Sequence, residues 1–153
     1  MIEIKNCPSS LLEGFDTYSP KATKLLFGKT KVNPILEFDV DDFRNVGEIA
    51  DAMHRISVSG VQEKFPAIIN ANAINIAGDN ERSTHILKPT PWDKTLRDRK
   101  MIPANEHLTM QIASQIYGIQ TAANGLCFTP KGQPVYITRR FDILPDGSKL
   151  PME

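Results

Sequence analysis

Residues 55–64, RISVSGVQEK, set two serines, a glycine and a lysine between an apolar run upstream, LLFGK, and one downstream, FPAII. The stretch has the form of a β-hairpin mouth, and two roles suit its residues. Small polar residues crowd turns for conformational reasons alone. A glycine also lets backbone come close to a bulky group, and flanking hydroxyls can bond an anion or receive a phosphoryl group. Residue types by themselves favour the ordinary turn, so the surrounding segments must decide.

From Ile56 onward the pattern is one of short β-like segments separated by Asn, Gly and Asp: residues 56–59, Phe65 to Asn70, Ala73 to Ala77 and Thr84 to Lys88. An antiparallel meander is expected. Pro89, Pro91 and Pro103 bracket WDKTLRDRKM, which reads as a loop or a short exposed helix. Pro103 to Tyr117 is the strongest helical segment, with Leu108, Ile112, Ala113 and Ile116 on one side and Gly118 as its stop. Two further strands, Leu126 to Thr129 and Val135 to Arg139, flank the turn Pro-Lys-Gly-Gln.

Upstream, residues 1–17 are polar and turn-rich. Ser19-Pro20 has the form of an N-cap followed by proline at the first helical position, and a short helix runs to Phe27 with Gly28 closing it. Asp39 to Met53 carries apolar residues at helical spacing despite Gly47. The expected fold class is α+β: a twisted antiparallel sheet with one long helix, preceded by short helices. We divide the chain into an N-terminal helical segment, residues 1–54, and a core, residues 55–153.

Composition narrows the partners. Eighteen basic and eighteen acidic residues cancel in the 153-residue chain, so no global positive field holds nucleic acid or an anionic membrane. Cys7 and Cys127 have no Cys-x-x-Cys or His-x3-His spacing around them, and neither a metal site nor a disulfide framework is indicated. No leader-like segment or membrane-length apolar run is present, so a soluble, cytoplasmic protein is expected, with no direct nucleic-acid or membrane partner.

Three motif fragments are coincidences. Residues 27–30, FGKT, end like a Walker A loop, but Thr23 stands where that loop needs its first glycine. His54-Arg55 and Asp42-Phe43 look like scraps of protein-kinase signatures, yet Ile56 and Arg44 replace the required aspartate and glycine, in reversed chain order. His85 and His107 stand isolated, where a packed or exposed histidine is commoner than a ligand or general base.

A combination of four segments carries more. RISVSGVQEK is a turn between strands. HILKP puts Lys88 at the end of a strand on which His85 and Ile86 alternate faces, so its ammonium can project into a cleft. NEHL begins the long helix and sets Glu106 near its N-terminus. YITRRFD is a strand leading into a connector. A glycine-containing hairpin, a strand lysine, a helix glutamate and an outgoing strand are the parts of a kinase amino-terminal lobe, in which the loop covers the phosphates, the lysine contacts them and the glutamate holds the lysine.

The strings SxSGVQEKFPAI, HILKPTP, NEHLTMQIA and YITRRFD closely resemble the amino-terminal lobe of the HipA family, bacterial serine/threonine kinase toxins of toxin–antitoxin systems. The resemblance runs from about Tyr18 to the end. It implies that the segment Ser57, Val58, Ser59, Gly60 belongs to a phosphate-covering loop, that Ser57 and then Ser59 are autophosphorylation sites, and that Lys88 is the nucleotide-binding lysine with Glu106 as its partner. It implies further that backbone groups at Arg139 and Phe141 bond adenine, that ATP and Mg²⁺ serve the complete kinase, and that HipB-like and HipS-like antitoxin proteins are partners. With only about fifty residues before Ser57, the chain looks more like HipT of three-component systems.

The family's proton-accepting aspartate and Mg²⁺-binding groups belong to the carboxy-terminal lobe, and the chain stops at Glu153 before any of it. No catalytic residue is therefore assigned within these residues, and inactivity without the second lobe is expected. The alternative is a non-enzymatic split-lobe module that neutralises or complements a kinase in trans.

Overall fold

The computed structural model describes residues 2–28, 31–43, 62–143 and 148–150. Helix α1 spans Pro20–Phe27 and is built at both ends as its sequence dictates. The Ser19 hydroxyl oxygen accepts from the Ala22 amide at 3.3 Å, proline occupies a position where no amide donor is needed, and Gly28 closes the helix at φ 82° with its amide bonded to the Lys24 carbonyl. Of the helix expected over Asp39–Met53, the described part is a 3-10 turn, Val40–Phe43. The rest, and the strand expected over 56–59, lie outside the described residues.

Five strands follow: β1 Phe65–Asn70, β2 Ala73–Ile76, β3 His85–Lys88, β4 Asn124–Phe128 and β5 Pro134–Arg139. They form one antiparallel sheet in the order β2-β1-β3-β5-β4. This is not the simple meander expected, because β3 returns beside β1 instead of β2, and β5 inserts between β3 and β4. Helix α2, Ile102–Gln115, connects β3 to β4 after a 3-10 turn at Arg99–Met101.

Side chains alternate across the pleat, so the register defines two faces. Phe65 lies opposite Leu87, Leu87 opposite Ile137, and Cys127 opposite Val135. All five are buried with Ala67, and Leu26, Phe27, Val32, Leu36 and Val40 from the first 43 residues pack on them. Each fully buried large apolar side chain there contributes roughly 1.5–3 kcal/mol. The opposite face carries Lys88, Tyr136 and Asn124, and receives α2.

The outer edge of β4 is covered by the upstream segments. The Leu126 amide donates to the Pro8 carbonyl and the Phe128 amide to the Pro34 carbonyl, both at 2.8 Å, while the Tyr18 hydroxyl donates to the Leu126 carbonyl at 2.7 Å. A bare edge would offer these groups to another chain. A Cβ at Gly125 would stand 3.2 Å from Leu26, Pro8 and Ser9 atoms, which is why this edge needs glycine. Among the described residues, no helix is long and apolar enough to cross a membrane.

Candidate functional site

Lys88 is the last residue of β3 and Glu106 lies in the second turn of α2. Their side chains meet on the helix-covered face, with Lys88 Nζ 2.5 Å from Glu106 Oε1 and each side chain about one-fifth exposed, at 23 % and 20 %. A charge-assisted contact partly shielded from water is stronger than a surface pair. Lys88 also lies opposite Tyr136 in the β3–β5 ladder, with Nζ 5.4 Å from the ring centre. That places the ammonium where the aromatic face attracts it. Burial, and next the charge of Glu106, push the Tyr136 hydroxyl above its ordinary pKa.

The carboxy-terminal stem of RISVSGVQEK is fastened beside this pair. Gln62 Nε2 donates to the Pro89 carbonyl at 2.9 Å, and the Trp92 amide donates to Glu63 Oε2 at 3.0 Å. Pro89 is the residue after Lys88, so chain leaving Gln62 towards its N-terminus starts at the lysine end of β3. Ser57, Val58, Ser59 and Gly60 lie outside the described residues.

The family model described as HipA-like C-terminal domain matches residues 56–153, more than half of the chain. The chain belongs to the HipA-like family. The match starts inside RISVSGVQEK and covers Lys88, Glu106 and the strand β5; the upstream part of the resemblance, from Tyr18, lies before it. No curated protein matches the chain.

In this HipA-like chain the TRRFD residues divide into two groups. Arg139, last in β5, faces His85 at the end of the ladder away from Lys88, about 10 Å along the strand from the Tyr136 position. Its amide is bonded to the Ala123 carbonyl at 2.8 Å and its guanidinium reaches the Leu25 carbonyl at 3.3 Å. Phe141 stands 77 % exposed. Between them Arg140 grips Asp142 through two bonds, Nε to Oδ1 at 2.9 Å and Nη2 to Oδ2 at 2.5 Å, and donates to Ser83 Oγ at 2.7 Å. Those hydrogen bonds hold the Asp142 carboxyl below the usual carboxylate range, against its partial burial. Arg140 and Asp142 therefore fix the connector that leaves the sheet.

Sequence reasoning missed Tyr136 and a polar cluster behind Glu106. Tyr136 stood in the quoted YITRRFD, but only the strand register brings it under Lys88. His107, 1 % exposed, shares Asn124 Oδ1 with Gln111, each at 3.0 Å. The apolar side of the long helix, Leu108, Ile112 and Ile116, faces solvent and not the sheet. The helix's buried residues are Pro103 and His107, with Met110, Gln111, Ala113 and Ser114 half-buried.

The donor set fits a nucleotide's phosphates in one respect: a shielded ammonium is presented by a strand and oriented by a carboxylate, as phosphoryl-group clamps require. Of the two residues assigned to adenine, Arg139 has its amide engaged within the sheet. Among the described residues, no group of three or more His, Cys, Asp or Glu side chains could hold a metal ion, and no step is derived through Mg²⁺.

Proposed function

We propose that this chain is the phosphate-covering, amino-terminal lobe of a HipA-type serine/threonine protein kinase, a toxin of a bacterial toxin–antitoxin system. The observation that supports this reading is the Lys88–Glu106 contact of 2.5 Å at the end of β3, in a chain of the HipA-like family, with the RISVSGVQEK stem bonded to the next residue. ATP, when bound, supplies the phosphoryl group that such a kinase transfers.

Lys88 contacts the phosphates as a point charge, and Glu106 holds the ammonium in line against Tyr136. Glu106 thus prevents the lysine from swinging into solvent. The backbone of residues 57–60 closes over the phosphates, where a glycine permits close approach. Backbone groups at Phe141 and Arg139 contact adenine, Arg139 through its carbonyl because its amide is engaged by Ala123. Ser57, and next Ser59, accepts a phosphoryl group as a regulatory mark: up to about two added negative charges stand where nucleotide phosphates must sit, so one excludes the other.

These residues act with a second lobe that supplies the proton-accepting aspartate and the metal ligands, on the same polypeptide or as a separate subunit. HipB-like and HipS-like antitoxins are the proposed regulatory partners. The test is transfer of radiolabelled γ-phosphate to a protein acceptor. The 153-residue chain alone should show none, the chain joined to its second lobe should show transfer, and Lys88→Ala should remove most of it. Full transfer by the joined Lys88→Ala protein would overturn the assignment.

A further inference from the structure

We infer that Asn124 is a positioning residue for the Lys88–Glu106 pair, acting through His107; this rests on the reading of that pair as the phosphate-contacting site. Helix α2 has two buried residues, Pro103 and His107, while Leu108, Ile112 and Ile116 on its other side are exposed. A helix with a broad apolar face against a sheet is held in rotation and translation by many contacts. This one fully buries only Pro103 and His107, so a specific polar contact carries more of the alignment.

That contact has one consistent hydrogen-bond arrangement. Asn124 Nδ2 donates to the Ala122 carbonyl at 2.8 Å, which turns Oδ1 towards the helix. Oδ1 then accepts from His107 Nδ1 and Gln111 Nε2, each at 3.0 Å. His107 is therefore the neutral tautomer with its proton on Nδ1, and its other nitrogen, Nε2, is buried with no hydrogen-bond partner among the described residues. Either ring orientation leaves one nitrogen without a partner, so the bond to Asn124 is what orients the imidazole towards the strand among the described residues.

Asn124 is itself held rigidly. Its main chain lies opposite Thr138 in the β4–β5 ladder and its carbonyl accepts from Ser9 Oγ at 2.6 Å. Thr138 and Tyr136 share a face of β5, and Tyr136 lies opposite Lys88. The ladder thus fixes Asn124 and Lys88 relative to each other, and the Asn124 bonds fix the helix to the ladder. Glu106 is the residue before His107. A slip of α2 by one residue moves each side chain by about 1.5 Å along the axis and about 100° around it, more than a 2.5 Å contact survives.

The experiment measures acetylation of each lysine in the native 153-residue protein by limiting acetic anhydride, resolved by peptide mass spectrometry, with exposed Lys21 and Lys131 as internal references. Glu106→Gln sets the rate of an unpaired Lys88, about five- to tenfold above wild type for a pair of this exposure. Asn124→Ala should raise Lys88 towards that rate with the reference lysines unchanged, and should add nothing in the Glu106→Gln background. If Asn124→Ala does not fold, Gln111→Leu, at a half-buried position, decides by the same readout. Wild-type reactivity of Lys88 in the folded variants, or an equal increase when Glu106 is already removed, would overturn the inference. Protection of Lys88 by AMPPNP, measured in the same samples joined to a second lobe, reports on the phosphate reading separately: its absence counts against that reading while the acetylation result on Asn124 stands.

Discussion

Lys88 lies directly across the β3–β5 ladder from Tyr136, and its ammonium stands 5.4 Å from the centre of that ring while touching Glu106 at 2.5 Å. Strand pairing therefore fixes the floor of the site and helix packing fixes its carboxylate. The two supports can be separated by mutation.

Tyr136 is 3 % exposed, so truncation to alanine removes packing as well as the ring face. Tyr136→Ala should cost about 3–5 kcal/mol, as for other large aromatic truncations. Tyr136→Phe keeps the ring beneath Lys88 and loses only the hydroxyl and its hydrogen bond with the Thr138 side chain, at about 1 kcal/mol. Urea unfolding of both variants checks this; equal losses would show that the ring contributes nothing beyond its hydroxyl.

Glu106→Gln leaves a partly shielded ammonium without its counter-charge. The cost should lie between that of a surface pair and that of a buried one, about 1–2 kcal/mol. In the joined kinase the same change should reduce phosphoryl transfer more than it reduces stability at working temperature. Unchanged transfer in a folded Glu106→Gln protein would remove Glu106 from the site.

The buried histidines set an acid limit. Burial holds His107 below the usual value of 6.5, opposed by the Asn124 hydrogen bond, and burial lowers His85 likewise, opposed by the Leu26 carbonyl and reinforced by Arg139. A group with a depressed folded pKa takes protons more readily when unfolded. Its stabilisation is complete above about pH 6.5 and is lost as pH falls through the lower folded value. The urea midpoint should therefore drop between about pH 7 and about pH 5, and drop less in His107→Gln. A midpoint that rises over this range would contradict the assignment.

The Arg140–Asp142 grip is another charge pair in a shielded position, its side chains 10 % and 15 % exposed. Asp142→Asn should cost about 2 kcal/mol, the scale of hydrogen bonds to charged groups. Because the Asp142 pKa is depressed, this contribution is present above about pH 3.9 and is lost as pH falls through the lower folded value. An acid unfolding profile identical in Asp142→Asn and wild type would sink it.

Much of the element list was legible in the sequence, for local reasons. Ser19-Pro20 and Gly28 carry the conformational preferences of a helix start and stop, and Phe65 to Asn70 is a short apolar run ending in a turn residue. What local pattern cannot state is partnership. Nothing in the periodicity of β3 says that it pairs with β1 and β5, and without that register Tyr136 is one more strand aromatic. The long helix misleads for a related reason: Leu108, Ile112 and Ile116 form the obvious apolar stripe, yet the helix docks through His107 and Gln111 on Asn124. The Lys88–Glu106 pairing was reached through the family resemblance, since each residue alone reads as a surface charge.

In RISVSGVQEK, a carboxylate at Ser57 should mimic the proposed regulatory mark. In the joined kinase, Ser57→Asp should weaken ATP binding and Ser57→Ala should leave it largely intact, measured by calorimetry. Equal affinity in the two variants, with phosphate on neither Ser57 nor Ser59 in active protein, would return the segment to an ordinary turn.

The central claim is that Lys88 touches nucleotide phosphates, and an acyl phosphate of ATP tests it at the atom concerned. Attack by Nζ on the acyl carbon forms an amide, breaks the bond to the phosphate oxygen and releases ATP. Peptide mass spectrometry of the joined kinase should find Lys88 acylated, with the label suppressed by excess ATP. Label confined to other lysines, or label on Lys88 that excess ATP does not suppress, would contradict the claim.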